Sequence, residues 1–212
     1  MKEHPILFSG PMVKAILEGR KTQTRRIVKP YGLGELLDEW PKGSGIFCER
    51  EFGREECIIR QNVCPYGQPG DRLWVRETWA PRGVHPVTRP DGKFGAAVIE
   101  YRADGQRATW NHDPIQRIKD DWRPSIFMPR WASRITLEVT AVRVERLQDI
   151  SPEDALAEGI DHYVPGVTAG QRGEVEADPI AEYRELWESI NGPGSWAENP
   201  WVWALSFKRI TP

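Results

Sequence analysis

What most limits the fold of this chain is the placement of its period-two stretches and the character of what joins them. In Arg72–Trp79, Leu73, Val75 and Glu77 share one parity, and Trp74, Arg76 and Thr78 share the other. In Ile135–Leu147, Ile135, Leu137 and Val139 are odd, but Val142 and Val144 are even. In Trp201–Phe207 apolar residues fill one parity and part of the other. Side chains that alternate between two faces mark strands, and Ala97–Arg102 adds a shorter one. The parity change near Thr140–Ala141 predicts a bulge or a bend. Three segments follow helix grammar instead. Ser9–Gly19 has Pro11 in its first turn, an apolar face of Met12, Ile16 and Leu17, and a glycine stop. Ser151–Gly159 has Ser151 as cap, Pro152 as first residue, Asp154 completing a capping-box-like pair and Gly159 as stop. Asp178–Gly192 puts Ile180, Tyr183, Leu186, Trp187 and Ile190 on one face. Residues 31–70, 81–95, 104–131 and 164–178 read as irregular. Strands joined by irregular segments argue against a doubly wound parallel sheet. The expectation is an α+β fold, a small mixed or antiparallel barrel with helices at its mouth.

The chain has 212 residues, and one domain over 1–212 with insertions is expected. No apolar run is long enough to span a bilayer, and the start lacks a signal-peptide pattern, so a cytoplasmic protein without membrane association is expected. Cys48, Cys57 and Cys64 are an odd number with no Cys-x-x-Cys spacing, which fits a reducing compartment and idle thiols better than disulfides or zinc. Scattered histidines and the lack of a carboxylate pair call for neither metal nor cofactor. Net charge is only −2 but unevenly placed. Residues 1–30 hold seven Lys/Arg against Glu3 and Glu18, and residues 149–190 hold eleven Asp/Glu against Arg172 and Arg184. Two such ends either meet across a cleft or cancel in space.

Within the basic end, Gly19–Arg26 reads Gly-Arg-Lys-Thr-Gln-Thr-Arg-Arg and contains no acid. The stretch either grips an anion or holds a lysine under electrostatic stress. Glu77, on the core parity of its strand, is either paired with an arginine or functional. Glu158 falls in the last turn of its helix, where the dipole disfavours a carboxylate, so it either faces water or carries a raised pKa with a use. Trp122, Arg130 and Trp131 belong to an arginine- and tryptophan-rich segment that either stacks bases or plugs a barrel edge.

Taken together, these motifs resemble the ASCH domain. The likeness lies in the helix ending Gly-Arg-Lys-Thr-x-Thr-Arg, the Pro-Gly-Asp turn feeding a strand, the long strand followed by a Glu-bearing helix, and the closing aromatic strand. It is nearest to ASCH proteins of phages and prophages in Pro-Tyr-Gly-Gln-Pro-Gly-Asp-Arg-Leu-Trp-Val-Arg-Glu-Thr-Trp and Met-Pro-Arg-Trp-Ala-Ser-Arg. The resemblance implies a PUA-like β-barrel with flanking helices and insertions at about 31–64, 81–130 and 162–178. A bacterial relative is an acetylcytidine amidohydrolase. Its lysine, threonine and glutamate fall on Lys21, Thr24 and Glu158.

A threonine hydroxyl needs a base, and lysine serves only when neutral, so its pKa must fall from about 10.4. Burial and the cations of Arg20, Arg25 and Arg26 push it down, and Glu158 could then protonate the leaving amine. Lys21 and Thr24 are three residues apart, so the mechanism predicts a bend between them. The competing reading is a module that binds RNA or a modified base, with Arg20, Arg25 and Arg26 on phosphates, Trp122 and Trp131 under bases, and Glu77 and Arg130 among the contacts. Ribonuclease activity is a further alternative, since other ASCH members are linked to RNA cleavage.

Overall fold

The computed structural model describes residues 1–29, 35–39, 46–50, 57–61, 64–113, 121–160 and 178–210. In chain order its elements are β1 (Glu3–Leu7), α1 (Gly10–Leu17), β2 (Gln23–Ile27), β3 (Glu35–Glu39), β4 (Ile46–Arg50), β5 (Cys57–Gln61) and β6 (Arg72–Arg76). There follow β7 (Trp79–Thr88), β8 (Phe94–Tyr101), β9 (Arg107–Trp110), β10 (Thr136–Arg146), α2 (Pro152–Ala157), α3 (Pro179–Asn191) and β11 (Trp201–Ile210). Strands outnumber helices and do not alternate with them, so the class is α+β. Among the described residues the strand pairings form open sheets, and none closes into a barrel. The chain divides into two compact units, one made of Met1–Gly19, Asp71–Glu138 and Arg209–Pro212, the other of Arg20–Gly70 and Val139–Lys208.

In the first unit, β1 runs parallel to β6, from Glu3 opposite Arg72 to Leu7 opposite Arg76. The start of β10 runs antiparallel to β6, with Leu137 opposite Leu73. Leu73 and Val75 are fully buried, as their parity predicts, and so is Leu137. A second sheet joins β7, β8 and β9 as antiparallel neighbours. This corrects the sequence reading, which left 81–95 and 104–131 without strands. The period of two is hidden in β7 because the register shifts between Pro81 and Gly83 and again between His85 and Thr88. Such irregularities absorb residues that cannot join a ladder. Against this sheet Trp79, Ile99, Tyr101, Met128 and Ala132 form a core cluster. The Tyr101 hydroxyl is satisfied there, donating to Ala132 O at 2.8 Å and accepting from Trp110 Nε1 at 2.9 Å.

In the second unit, β2 pairs antiparallel with β11, from Gln23 opposite Ser206 to Ile27 opposite Val202. β3, β4 and β5 form an antiparallel sheet of their own, where an irregular insertion was expected. Each of these strands has five residues, too short for alternation to stand out among charges and glycines. The parity change in β10 shows in its packing. Val139 is buried on the odd side, whereas Val142 and Val144 pack on Val28, Cys64, Trp203 and Leu205. α2 and α3 form as their caps dictate, whereas Ser9 before α1 makes no side-chain cap bond. Ser151 Oγ accepts from Asp154 N at 3.2 Å and Asp178 Oδ1 from Ile180 N at 3.0 Å, each just before a first-turn proline. α3 buries Tyr183 and Trp187 against Leu147, Ile150, Ala155 and Val202. The predicted loop at 164–178 lies, Asp178 apart, outside the described residues.

Candidate functional site

Two glycine-terminated helix ends set up the site. Gly19, with φ +78°, ends the turn after α1, and Lys21 follows two residues later. Thr22 N donates to Ala157 O at 2.8 Å, fastening the chain before β2 to the end of α2. Glu158 is the C-cap of α2, and Gly159 at φ +80° completes its stop. The result is contact between two residues 137 apart in sequence. Lys21 Nζ donates to Glu158 Oε2 at 2.7 Å and to Glu158 O at 2.6 Å, and the two side chains are 0% and 2% exposed.

The pair sits at the buried end of a larger cluster that reaches the surface at Arg143. Arg25 donates to Glu145 Oε1 from Nε at 3.0 Å and from Nη2 at 2.5 Å, to Asp154 Oδ2 at 2.9 Å, and to Gln23 Oε1 at 2.6 Å. Its Nη1 also lies 3.4 Å from Glu158 Oε1, with the Tyr183 hydroxyl 3.5 Å from the same oxygen. Arg143 bonds Asp154. Three cations thus face Glu145, Asp154 and Glu158. Moving one proton from Lys21 to Glu158 leaves the cluster's total charge unchanged. The basic and acidic ends of the sequence meet here, inside the protein rather than across solvent.

Burial is the largest influence on Lys21 and pushes its pKa below the usual lysine value. The attraction and hydrogen bond of Glu158 oppose this, while Arg26 and then Arg25 push further down. Desolvation therefore leads and Arg26 and Arg25 assist, while Arg20, also expected to push the lysine down, is not among the causes. Burial also raises the Tyr183 phenol well above its ordinary value, with the Glu158 charge adding to it, which keeps the hydroxyl a donor. Arg25 loses by burial but gains more from Glu158 and Glu145, so its pKa rises.

Thr24 is fully buried, and its Oγ1 accepts a 3.0 Å bond from Arg26 Nη1. Lys21, Gln23 and Arg25 reach the carboxylate cluster from odd positions, while Thr24 and Arg26 meet each other from even ones. The alternation follows from β2 starting at Gln23, so Lys21 and Thr24 fall on opposite parities and the bend expected to bring them together is not seen. Arg20 Nη1 donates to Gly159 O at 3.2 Å. Arg25, expected on a substrate phosphate, has its donors engaged by the protein's own oxygens. Gln23, Glu145, Asp154 and Tyr183 were not nominated for the site from the sequence, where Asp154 was read only as part of a helix cap. Only the opposed charge of the two ends hinted at Asp154, and Tyr183 looked like any apolar-face residue of α3.

The remaining expected site residues belong to the first unit. Glu77 is 1% exposed, and both its oxygens accept from Arg134 at 2.9 Å; Arg134 also bonds Asp104. Burial raises the Glu77 pKa even against that pairing. Arg130 makes a two-pronged bond to Glu3, at 2.9 Å on each oxygen. Trp122 carries the guanidinium of Arg82 4.8 Å from its ring centre and that of Arg102 at 5.9 Å. Trp131 is stacked on His112, 4.0 Å between centres. Both rings are thus engaged by the chain's own groups.

Cys64 is buried, which pushes its thiol up to about 11; Cys48 and Cys57 lie in β4 and β5. Among the described residues no group of three or more His, Cys, Asp or Glu could hold a metal ion, and no helix is long and apolar enough to cross a membrane. No protein-family profile, curated protein or solved structure matches this chain.

Proposed function

We propose that this chain is an ASCH-type amidohydrolase, with the PUA-like fold of that family, which removes the acyl group from acylated cytidine or a related modified nucleoside. The observation that carries this reading is the buried 2.7 Å contact between Lys21, from the Gly-Arg-Lys-Thr stretch, and Glu158, from the later helix. Desolvation lowers the lysine's affinity for its proton, and the carboxylate that can accept that proton is in contact with it. Substrate entry has to turn the segment between Lys21 and Thr24 so that their side chains meet; with the proton on Glu158, neutral Lys21 then takes the hydrogen of Thr24 Oγ1 as that oxygen bonds to the amide carbon. Glu158 gives its proton to the nucleobase nitrogen as the C–N bond breaks, leaving an acyl ester on Thr24. Water then adds to the ester, the Glu158 carboxylate takes a proton from it, and Lys21 returns one to the departing Thr24 oxygen. The Arg26 bond to Oγ1 stabilises negative charge on that oxygen in both steps. Lys21 and Thr24 are closed to solvent, so a substrate must displace part of their cover, and turnover rather than binding is the informative readout.

The test is release of cytidine from N4-acetylcytidine by the wild type and by Lys21→Ala, Thr24→Val and Thr24→Ser, each checked for folding by near-UV circular dichroism. The first two variants should lose kcat/KM by at least about 100-fold, and Thr24→Ser should keep much of it. No turnover by the wild type, or unchanged turnover by folded Thr24→Val, would sink the proposal. A short RNA in the same assay separates the alternatives. Cleavage lost in Lys21→Ala marks a ribonuclease, and salt-sensitive binding without turnover marks a binding module.

A further inference from the structure

The first unit contains a cavity of about 480 Å³ whose walls include Pro11, Lys14, Glu77, Thr78, Arg102 and Ala103. All of these residues belong to that unit, and none takes part in the chemistry proposed for Lys21. Pro11 and Ala103 supply apolar wall. The charges do not cancel locally. Both Glu77 oxygens accept from Arg134, and its side chain is 2% exposed, so its charge is answered within the protein. Among the described residues Lys14 pairs only with Glu18, at 3.9 Å between exposed side chains, a pairing of little energetic weight. Arg102 is exposed and has no carboxylate partner among the described residues; its guanidinium lies 5.9 Å from the Trp122 ring centre. An aromatic face restricts an arginine without using up its in-plane donors, which stay free for a planar or tetrahedral oxyanion. Trp122 therefore helps to hold an arginine rather than offering its face to a base.

We propose that this cavity binds the phosphate group of a small phosphorylated molecule of nucleotide size, with Arg102 as its anchor, Lys14 as a second cation and the Thr78 hydroxyl as a neutral donor. The phosphate meets two cations and a hydroxyl, and the body of the ligand meets Pro11 and Ala103. Typical small-molecule pockets have volumes of about 300–1,000 Å³, so a mononucleotide fits the space where a bare phosphate leaves most of it empty.

The experiment is calorimetric titration of the full chain with cytidine 5′-monophosphate, inorganic phosphate and cytidine. The monophosphate should bind saturably, phosphate more weakly, and cytidine not measurably. Arg102→Ala should weaken monophosphate binding by about tenfold or more, since a charge-assisted bond is lost, and Lys14→Ala by a smaller factor. Ala103→Phe keeps both cations but fills the cavity, and it should weaken binding at least as much. Arg107→Ala removes an arginine paired with Glu100 outside the cavity and should change nothing. Variants are compared only when their thermal unfolding matches the wild type, and Arg102→Gln replaces the alanine variant if it does not. Wild-type affinity in Arg102→Ala and Ala103→Phe overturns the proposal, as does equal binding of cytidine or the lack of any binding at millimolar monophosphate. Cytidine held at the Lys21 site as a reaction product would bind Arg102→Ala and Ala103→Phe unchanged, so only cytidine affinity lost in those variants counts against the proposal, and the outcomes stay separate from whether the protein deacylates cytidine.

Discussion

At Lys21 the fold has to resolve a conflict, since a cation has been removed from water and its compensation comes from one carboxylate. Deleting only the lysine leaves Glu158 with the longer contacts to Arg25 and Tyr183. Lys21→Met should therefore cost about 3 kcal/mol in urea unfolding, because an under-compensated buried charge is expensive. Adding Glu158→Gln should recover part of that loss. The sign of the pH effect follows from the lowered lysine pKa. Between that lowered value and the ordinary 10.5, the unfolded chain binds a proton that the folded chain does not. Stability contributed by this group therefore rises with pH through that window and levels off above it. The difference between wild type and Lys21→Met should climb in the same window, and parallel stability curves would show that Lys21 titrates normally. Arg25 is no phosphate clamp, because Glu145 and Asp154 already hold it.

Among the elements, α2 matters most for its small size. It spans only Pro152–Ala157, too short to be stable without its caps. Its start rests on Ser151 Oγ, and its end rests on Gly159 in the left-handed region immediately after Glu158. Ser151→Ala should cost about 1 kcal/mol through the lost cap. Gly159→Ala should cost about 1–2 kcal/mol through a conformation that L residues resist. Both should raise amide exchange at Ala157 and Glu158 more than in α3. Equal protection of α2 in wild type and variants would mean that packing on α3, not the caps, holds the glutamate in place.

On the scale of the whole chain, the sheet of β3, β4 and β5 pairs only within itself among the described residues. Val28 and Cys64, on either side of that segment, belong to one core cluster, so the ends it joins are close. Replacing residues 31–62 with a short Gly/Ser linker should therefore leave a cooperatively folding chain, because changing the length of a closed loop has only a small entropic cost. The variant should melt within a few degrees of the wild type. A melt without cooperativity would show that the sheet supports the rest of the chain.

The sequence by itself determined what is local. Ser151, Pro152, Asp178, Pro179 and the glycine stops act through bonds to their own neighbours, so the three helices were legible to within a residue or two. β6, β10 and β11 were legible too, from the alternation of their apolar residues, although β6 and β11 are buried on both parities. β7 was missed because bulges and prolines erase that alternation, and β9 and β3–β5 because strands of four or five residues barely show it. Lys21 and Glu158 could be nominated from the chain. That Lys21 is desolvated, that Arg25 is spent on Glu145 and Asp154, and that Tyr183 reaches Glu158 were decided only by the tertiary structure. Burial and charge pairing depend on which distant segments meet, and no spacing along the chain encodes that distance.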